Sequence, residues 1–127
     1  KKECLLNKGI AGLHNFKENK IIICTENAKR ITNYEENKYS SEKDNFKTKR
    51  AIRKALRHEA THIIQKCNNN QTTENIEILE KKLHQKKRKA LKLSTTVFSG
   101  NYAKEVEAYV LEDKPKKVKK GIEKYCL

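Results

Sequence analysis

Apolar residues recur at helical spacing through the middle of the chain. Between Asp44 or Asn45, either of which could cap a helix, and about Lys66, they return every three or four residues, and this period predicts one long helix. The run of asparagines at 68–70 is expected to end it. The apolar positions of this helix are Ile52, Leu56, Ala60, Ile63, Ile64 and Cys67.

The rest of the pattern predicts one strand, one loop and three shorter helices. Residues 20–25 are β-branched and compact, which is typical of a buried strand. The polar stretch 26–44, rich in Asn, Ser and Glu, predicts a surface loop with weak strand content. The three helices are expected at 73–92, from Ser99 or Asn101 to about Leu111, and at 116–125.

The chain is short and strongly basic. Its 127 residues predict a single domain over 1–127, and 30 Lys and Arg against 16 Asp and Glu leave a net charge of +14. This charge could bind nucleic acid, an anionic membrane surface or an acidic substrate. It could also reflect a composition biased towards Lys, Asn and Ile, which we favour because Arg, the better phosphate reader, is scarce. No apolar run approaches the ~18 residues of a membrane span.

Four cysteines lie far apart and form no C-x-x-C pair. This spacing argues against a zinc ribbon or a thioredoxin-like motif, and it favours two disulfides over four buried thiols. We expect Cys24 to pair with Cys67, because Cys24 ends the strand and the long helix has to pack on the sheet. Cys4 would then pair with Cys126, since domain termini often lie close together. Two disulfides predict an oxidising, non-cytosolic compartment, whether secreted, periplasmic or luminal.

The long helix carries the motif His58-Glu59-Ala60-Thr61-His62. Two histidines four residues apart project from one helical face, so both imidazoles can reach a single zinc ion. Glu59 stands beside them and can accept a proton from a zinc-bound water. The sequence therefore predicts that His58 and His62 bind Zn²⁺ and that Glu59 acts as general base.

A catalytic zinc ion takes three protein ligands and keeps one position open. The next-to-last predicted helix supplies the preferred third ligand, Glu105, because Ala108 three residues later leaves that face small enough for a close approach. Glu107 projects about 160° away around the helix and is the alternative acid. His14 and His84 are the alternative histidine ligands.

These segments resemble the zinc metallopeptidases of the mitochondrial ATP synthase assembly type and their compact bacterial relatives. The likeness is a series of short matches in order along the chain. The matching segments are Gly12-Leu13-His14-Asn15-Phe16, Ile21-Ile22-Ile23-Cys24 followed by Asn27, Leu56-Arg57-His58-Glu59-Ala60-Thr61-His62 with Cys67 five residues later, and Glu105 with Ala108. The chain departs from the family at 63–65, where an aromatic residue and an acid usually follow the second histidine.

The resemblance implies a small α+β, zincin-like domain of the minigluzincin type, with a short sheet packed on a long active-site helix. It implies that His58, His62 and Glu105 bind zinc and that Glu59 is the catalytic residue. The activity expected is that of a metalloendopeptidase, which hydrolyses a protein or peptide substrate with a zinc-activated water.

Two further hypotheses accompany this one. The phenol of Tyr102 or of Tyr109 is expected to stabilise the oxyanion, and the sequence does not choose between them. The competing function is a basic module that binds nucleic acid or an anionic membrane, with a structural or vestigial metal site. Its binding surface would be formed by the tracts Lys81–Lys92 and Lys114–Lys124.

Overall fold

The computed structural model shows a mostly helical chain with one small sheet among its described residues, in agreement with the α+β class that the resemblance implies. The residues described are 2–6, 8–15, 17–18, 20–32, 42–96 and 101–127. In chain order the elements are α1 (Lys2–Leu6), β1 (Gly12–Asn15), β2 (Lys20–Ile23), α2 (Thr25–Thr32), α3 (Glu42–Cys67), α4 (Ile76–Lys81), α5 (Gln85–Thr96), α6 (Tyr102–Leu111) and α7 (Pro115–Tyr125). Among these helices none is long and apolar enough to cross a membrane.

The chain divides into two compact units, Lys1–Glu59 and Ala60–Leu127, and the division falls inside α3. In the first unit β1 and β2 pair antiparallel, with Leu13 opposite Ile22. The sheet lies close to α3, since a Cβ placed on Gly12 would stand 3.3 Å from the Cβ of Ala55. The absence of a side chain at Gly12 therefore allows this approach.

The polar stretch that follows the strand begins as a helix, so the loop prediction is wrong for its first residues. Helix α2 buries Asn27 and Ala28. The Asn27 amide donates a hydrogen bond to the Cys4 carbonyl oxygen over 2.9 Å, which ties α2 to α1. A buried face made of one asparagine and one alanine gives no apolar periodicity to detect. Residues 33–41 of the predicted loop lie outside the described part of the chain.

Helix α3 runs two to three residues further at its start than the predicted caps Asp44 and Asn45. Its end agrees with the prediction, because Asn69 and Asn70 take left-handed backbone angles with φ of 56° and 61°. Asparagine tolerates this conformation better than most residues do, and it commonly follows a helix C-terminus.

The helix predicted at 73–92 is two helices, α4 and α5, with Lys82, Leu83 and His84 between them. The first begins after Asn75, whose side chain accepts a hydrogen bond from the Glu77 backbone N–H over 2.8 Å. Asn101 caps α6 in the same way, as one of the two predicted alternatives. The other alternative, Ser99, lies outside the described residues.

Two hydrophobic clusters hold the second unit together. One joins α4, α5 and α6, and the other joins α3, α6 and α7. The buried members of the first cluster are Leu79, Leu83, Leu91, Val106 and Val110, and those of the second are Ile64, Leu111 and Val118.

All four cysteines are disulfide-bonded, but the predicted pairing of Cys24 with Cys67 and of Cys4 with Cys126 is wrong. The bonds are Cys4–Cys24 and Cys67–Cys126. Ile122 and Tyr125 of α7 pack against the cluster that contains Ile64, so the end of α3 lies beside the end of α7. Cys24 instead precedes α2, which the Asn27 amide draws towards α1. The two bonds indicate an oxidising compartment.

We predict that peptide mapping without reductant will recover Cys4 linked to Cys24 and Cys67 linked to Cys126. Each bond joins two cysteines of the same compact unit, so the packing within that unit brings the two sulfurs together. Protein purified without reductant is digested and analysed by mass spectrometry before and after reduction. Recovery of a Cys24–Cys67 peptide, or of four alkylated thiols, would contradict this pairing.

Candidate metal centre

Helix α3 places His58 and His62 on one face, one turn apart. The two histidines belong to one uninterrupted helix, so the backbone hydrogen bonds of that turn fix their spacing. His58 is buried and His62 is nearly so. Both imidazoles are therefore held in place largely away from bulk water.

Helix α6 supplies the third side chain of the site. The Glu105 Oε1 atom lies 3.0 Å from the Nε2 atom of His62, and the two side chains are only 14% and 11% exposed. Glu105 stands in the first turn of α6, whose start is fixed by the Asn101 cap. The acid preferred from the sequence is thus the one in contact with the motif.

His58, His62 and Glu105 form a group that could hold a metal ion. Each offers one ligand atom, and these atoms all lie within 4.8 Å of one another. Two imidazole nitrogens and one carboxylate oxygen are the donor set of many catalytic zinc sites, in which neighbouring ligands stand about 3.3 Å apart. The residues present therefore fit a zinc ion in the chemistry of their donors, and the 3.0 Å between Glu105 Oε1 and His62 Nε2 is close to the spacing of zinc ligands.

Glu107, the alternative acid, has a different position and is not part of this group. Its side chain is fully buried, and its Oε2 atom accepts hydrogen bonds from the Thr73 N–H, the Thr73 hydroxyl and the Glu74 N–H over 2.8, 2.7 and 3.2 Å. Its Oε1 atom accepts a fourth bond from the Gln65 amide over 3.0 Å. This carboxylate fastens the 73–74 turn to α6.

Glu59 is buried on α3, three residues before His62 and next to His58. Side chains three residues apart on a helix are neighbours, so its carboxylate belongs to the same part of the helix surface as the histidines. This location is compatible with the role of general base expected from the motif.

The two tyrosines proposed for the oxyanion are both hydrogen-bonded elsewhere in the second unit. The Tyr102 hydroxyl donates to Glu80 Oε1 over 2.9 Å, and this bond raises the pKa of Tyr102 above its ordinary value. The Tyr109 hydroxyl lies 2.8 Å from the Ser94 hydroxyl. An oxyanion role for either tyrosine stays a prediction.

The alternative histidines lie on other elements. His14 is a buried residue of β1, opposite Ile21 of β2. His84 is exposed in the connection between α4 and α5, where its carbonyl oxygen accepts from the Lys87 and Arg88 N–H groups. Neither of them joins the group formed by the motif histidines and Glu105.

Sequence reasoning missed Gln65, which is 1% exposed and contacts the site directly. Its Oε1 atom lies 2.9 Å from His62 Nδ1, on the side of the ring opposite to Glu105. The helical period places Gln65 on the same face as His62, but its role depends on the distant Lys104 carbonyl oxygen and Glu107, which the period does not indicate.

The chain belongs to the family described as Domain of unknown function (DUF8637), whose model matches residues 1–127. No curated protein and no solved structure matches the chain. The family description assigns no activity, and the chemistry of the site therefore has to indicate the function.

We predict that the protein binds one Zn²⁺ per chain and that Glu105→Gln loses it. A neutral carboxamide is a poorer zinc ligand than a carboxylate, so affinity should fall by more than the about 10–100-fold caused by loss of an outer-shell partner. Elemental analysis and competition with a chromophoric chelator measure this. Glu123→Gln, the same change at an exposed position of α7, is the matched control and should bind zinc normally. Unchanged zinc affinity in Glu105→Gln would show that Glu105 is not a ligand.

Proposed function

We propose that the protein is a zinc-dependent metallopeptidase with a zincin-like active site. The observation that carries this proposal is the 3.0 Å contact between Glu105 Oε1 and His62 Nε2, which adds a carboxylate from a second helix to the two motif histidines. A structural zinc site is usually closed by four protein ligands, whereas three ligands leave a position for water or substrate. The donor set therefore supports a hydrolytic site better than a structural one.

When bound, zinc supplies Lewis acidity, which polarises the scissile carbonyl and lowers the pKa of water. The proton transfers of the reaction are carried out by a residue of the chain. Glu59 accepts the proton of the attacking water and then delivers it to the leaving amine nitrogen, so the carboxylate ends the cycle as it began. Glu59 is only 7% exposed, which restricts the motion of its side chain and limits competing water.

The substrate of this reaction is a protein or peptide, and the compartment is proposed to be secreted, periplasmic or luminal. The two disulfides support an oxidising location, because thiols stay reduced in the cytosol of most organisms. The basic composition favours substrates with acidic segments, since a net charge of +14 attracts them at low ionic strength.

We predict that Glu59→Gln retains zinc but loses peptidase activity by about 10²–10⁴-fold, the usual cost of removing a general base. The carboxamide keeps the shape of the side chain yet cannot accept the proton. Hydrolysis of a denatured protein or a broad peptide pool is followed by mass spectrometry, with zinc content measured on the same samples.

The matched control is Glu77→Gln, which makes the same change at an exposed position in the first turn of α4 and should leave hydrolysis unchanged. A chelator should abolish wild-type activity and added Zn²⁺ should restore it. Full activity of Glu59→Gln would refute the mechanism. Zinc-loaded wild-type protein that hydrolyses no peptide would refute the proposed activity.

A second candidate function is binding to a polyanion, and the exposed face of α7 favours it. Val118 is buried and Ile122 packs against the same cluster, so the apolar side of α7 is already covered. The opposite side is composed of lysines with one acid, Glu123. The exposed lysines are Lys116, Lys117, Lys119, Lys120 and Lys124. Such a helix offers charge alone to a partner, as a nucleic-acid backbone or an anionic membrane would require.

If this surface binds a polyanion, replacing Lys116, Lys119 and Lys120 together by glutamine should lower the affinity and flatten its salt dependence. Each lost phosphate contact reduces the slope of log affinity against log salt by about 0.9 for duplex DNA. Binding is measured with duplex DNA and with vesicles that contain or lack phosphatidylserine, which distinguishes a nucleic-acid partner from an anionic membrane. Glu59→Gln is the control and should bind like wild type. Equal affinities for the triple variant and wild type would contradict this function.

A further inference from the structure

A chain of hydrogen bonds runs through the second unit from the 73–74 turn to the imidazole of His62. Donors of Thr73 and Glu74 bind Glu107 Oε2, and Glu107 Oε1 accepts from the amide of Gln65. The oxygen of that amide lies 2.9 Å from His62 Nδ1. Glu107 and Gln65 are 0% and 1% exposed, so solvent does not compete for these bonds.

The orientation of the Gln65 amide is fixed by what its nitrogen faces. Nε2 donates to the Lys104 carbonyl oxygen over 2.9 Å and to Glu107 Oε1 over 3.0 Å. A backbone carbonyl and a carboxylate can each only accept a hydrogen bond. The NH₂ group of Gln65 therefore has to point towards both of them. The amide oxygen is then the atom that faces His62, and an oxygen there requires a proton on Nδ1.

We infer that Glu107, acting through Gln65, holds a proton on His62 Nδ1 and thereby leaves Nε2 as the metal-ligating nitrogen. Glu107 and Gln65 are positioning residues, because neither belongs to the ligand group. The inference deepens the proposed zinc site and rests on it for its consequence, although its test does not need zinc.

The geometry at Nε2 shows why this proton position matters. With Nδ1–H donated to Gln65, the Nε2 lone pair of a neutral ring points at the Glu105 carboxylate, 3.0 Å away. Two lone pairs at that distance repel unless a proton or a metal ion lies between them. A second proton on Nε2 can take this place in the metal-free protein, and a metal ion would replace that proton while Nδ1–H stays bonded to Gln65. The partner on the other ring nitrogen commonly fixes the tautomer of a metal-bound histidine.

Glu107→Gln should remove the single orientation of the Gln65 amide. The backbone N–H groups of Thr73 and Glu74 require an acceptor, so the new amide has to turn its oxygen towards them. Its NH₂ group then faces Gln65, and position 107 now favours the Gln65 oxygen where the Lys104 carbonyl oxygen still favours the Gln65 NH₂ group. In the molecules in which Gln65 turns, its NH₂ group faces Nδ1, and the His62 proton moves to Nε2, the atom that should bind the metal.

The test is the tautomer of His62 in the metal-free, full-length protein. Long-range ¹H–¹⁵N correlation spectra at alkaline pH distinguish Nδ1–H from Nε2–H rings, and the signal is assigned by its loss in His62→Gln. We expect Nδ1 to carry a proton in wild type, whether or not Nε2 carries one as well, and rings with a proton on Nε2 alone to appear in Glu107→Gln. Zinc affinity, measured by chelator competition, should fall by about 10–100-fold in Glu107→Gln.

The matched control is Thr73→Val, which removes the 2.7 Å hydroxyl bond to Glu107 Oε2 and leaves the Gln65 contact in place. It should lower thermal stability while keeping the Nδ1–H tautomer and the zinc affinity, a separation that a purely structural role of Glu107 would not give. Gln65→Met serves if Glu107→Gln does not fold. This variant has no acceptor facing Nδ1, so the His62 ring should shift towards Nε2–H, the form that free histidine favours.

A wild-type ring with a proton on Nε2 alone would overturn the inference, and so would an Nδ1–H ring retained in both Glu107→Gln and Gln65→Met. Failure of the zinc proposal looks different. A wild-type protein that binds no zinc, yet changes tautomer in Glu107→Gln, would refute the metal site and support the chain of hydrogen bonds.

Discussion

The geometry of the second unit depends on the hydrogen bonds that the buried carboxylate of Glu107 accepts. A charge removed from water is costly unless it is fully hydrogen-bonded, and Glu107 accepts four bonds from two other segments. These bonds fasten the 73–74 turn and the end of α3 to α6. Glu105 lies two residues earlier on the same helix, so the contact that stabilises the unit also sets where this carboxylate meets His62.

The part of the site that the sequence predicts best is the part that depends on one helix. The spacing of His58 and His62 is a local property of α3, and a helical period places both on one face regardless of the rest of the fold. Glu105 required a second step, the expectation that a face with Ala108 permits close approach. The structure brings Glu105 to His62 and turns Glu107 towards a different partner, in line with the opposite directions of the two acids around α6.

The failures of prediction involve contacts between segments that are distant in sequence. The number of cysteines indicated two disulfides, but their pairing depends on Ile64 packing beside α7 and on the hydrogen bond from Asn27 to Cys4. Helix α2 was missed because its buried face carries no large apolar residue. Gln65 has a role only once Glu107 and the Lys104 carbonyl oxygen are beside it, and no sequence pattern reports that arrangement.

The end of α3 that follows the motif is held in two independent ways. Cys67 is bonded covalently to Cys126 at the end of α7, and Gln65 is hydrogen-bonded to α6 at two acceptors. A ligand that is already ordered loses little conformational freedom when a metal ion binds, so this double attachment lowers the entropic cost of forming the site. His58 precedes these attachments and depends on the helical turn between it and His62. The candidate site is therefore built outward from the fixed end of α3, and His62 is the member of it whose ring is contacted at both nitrogens.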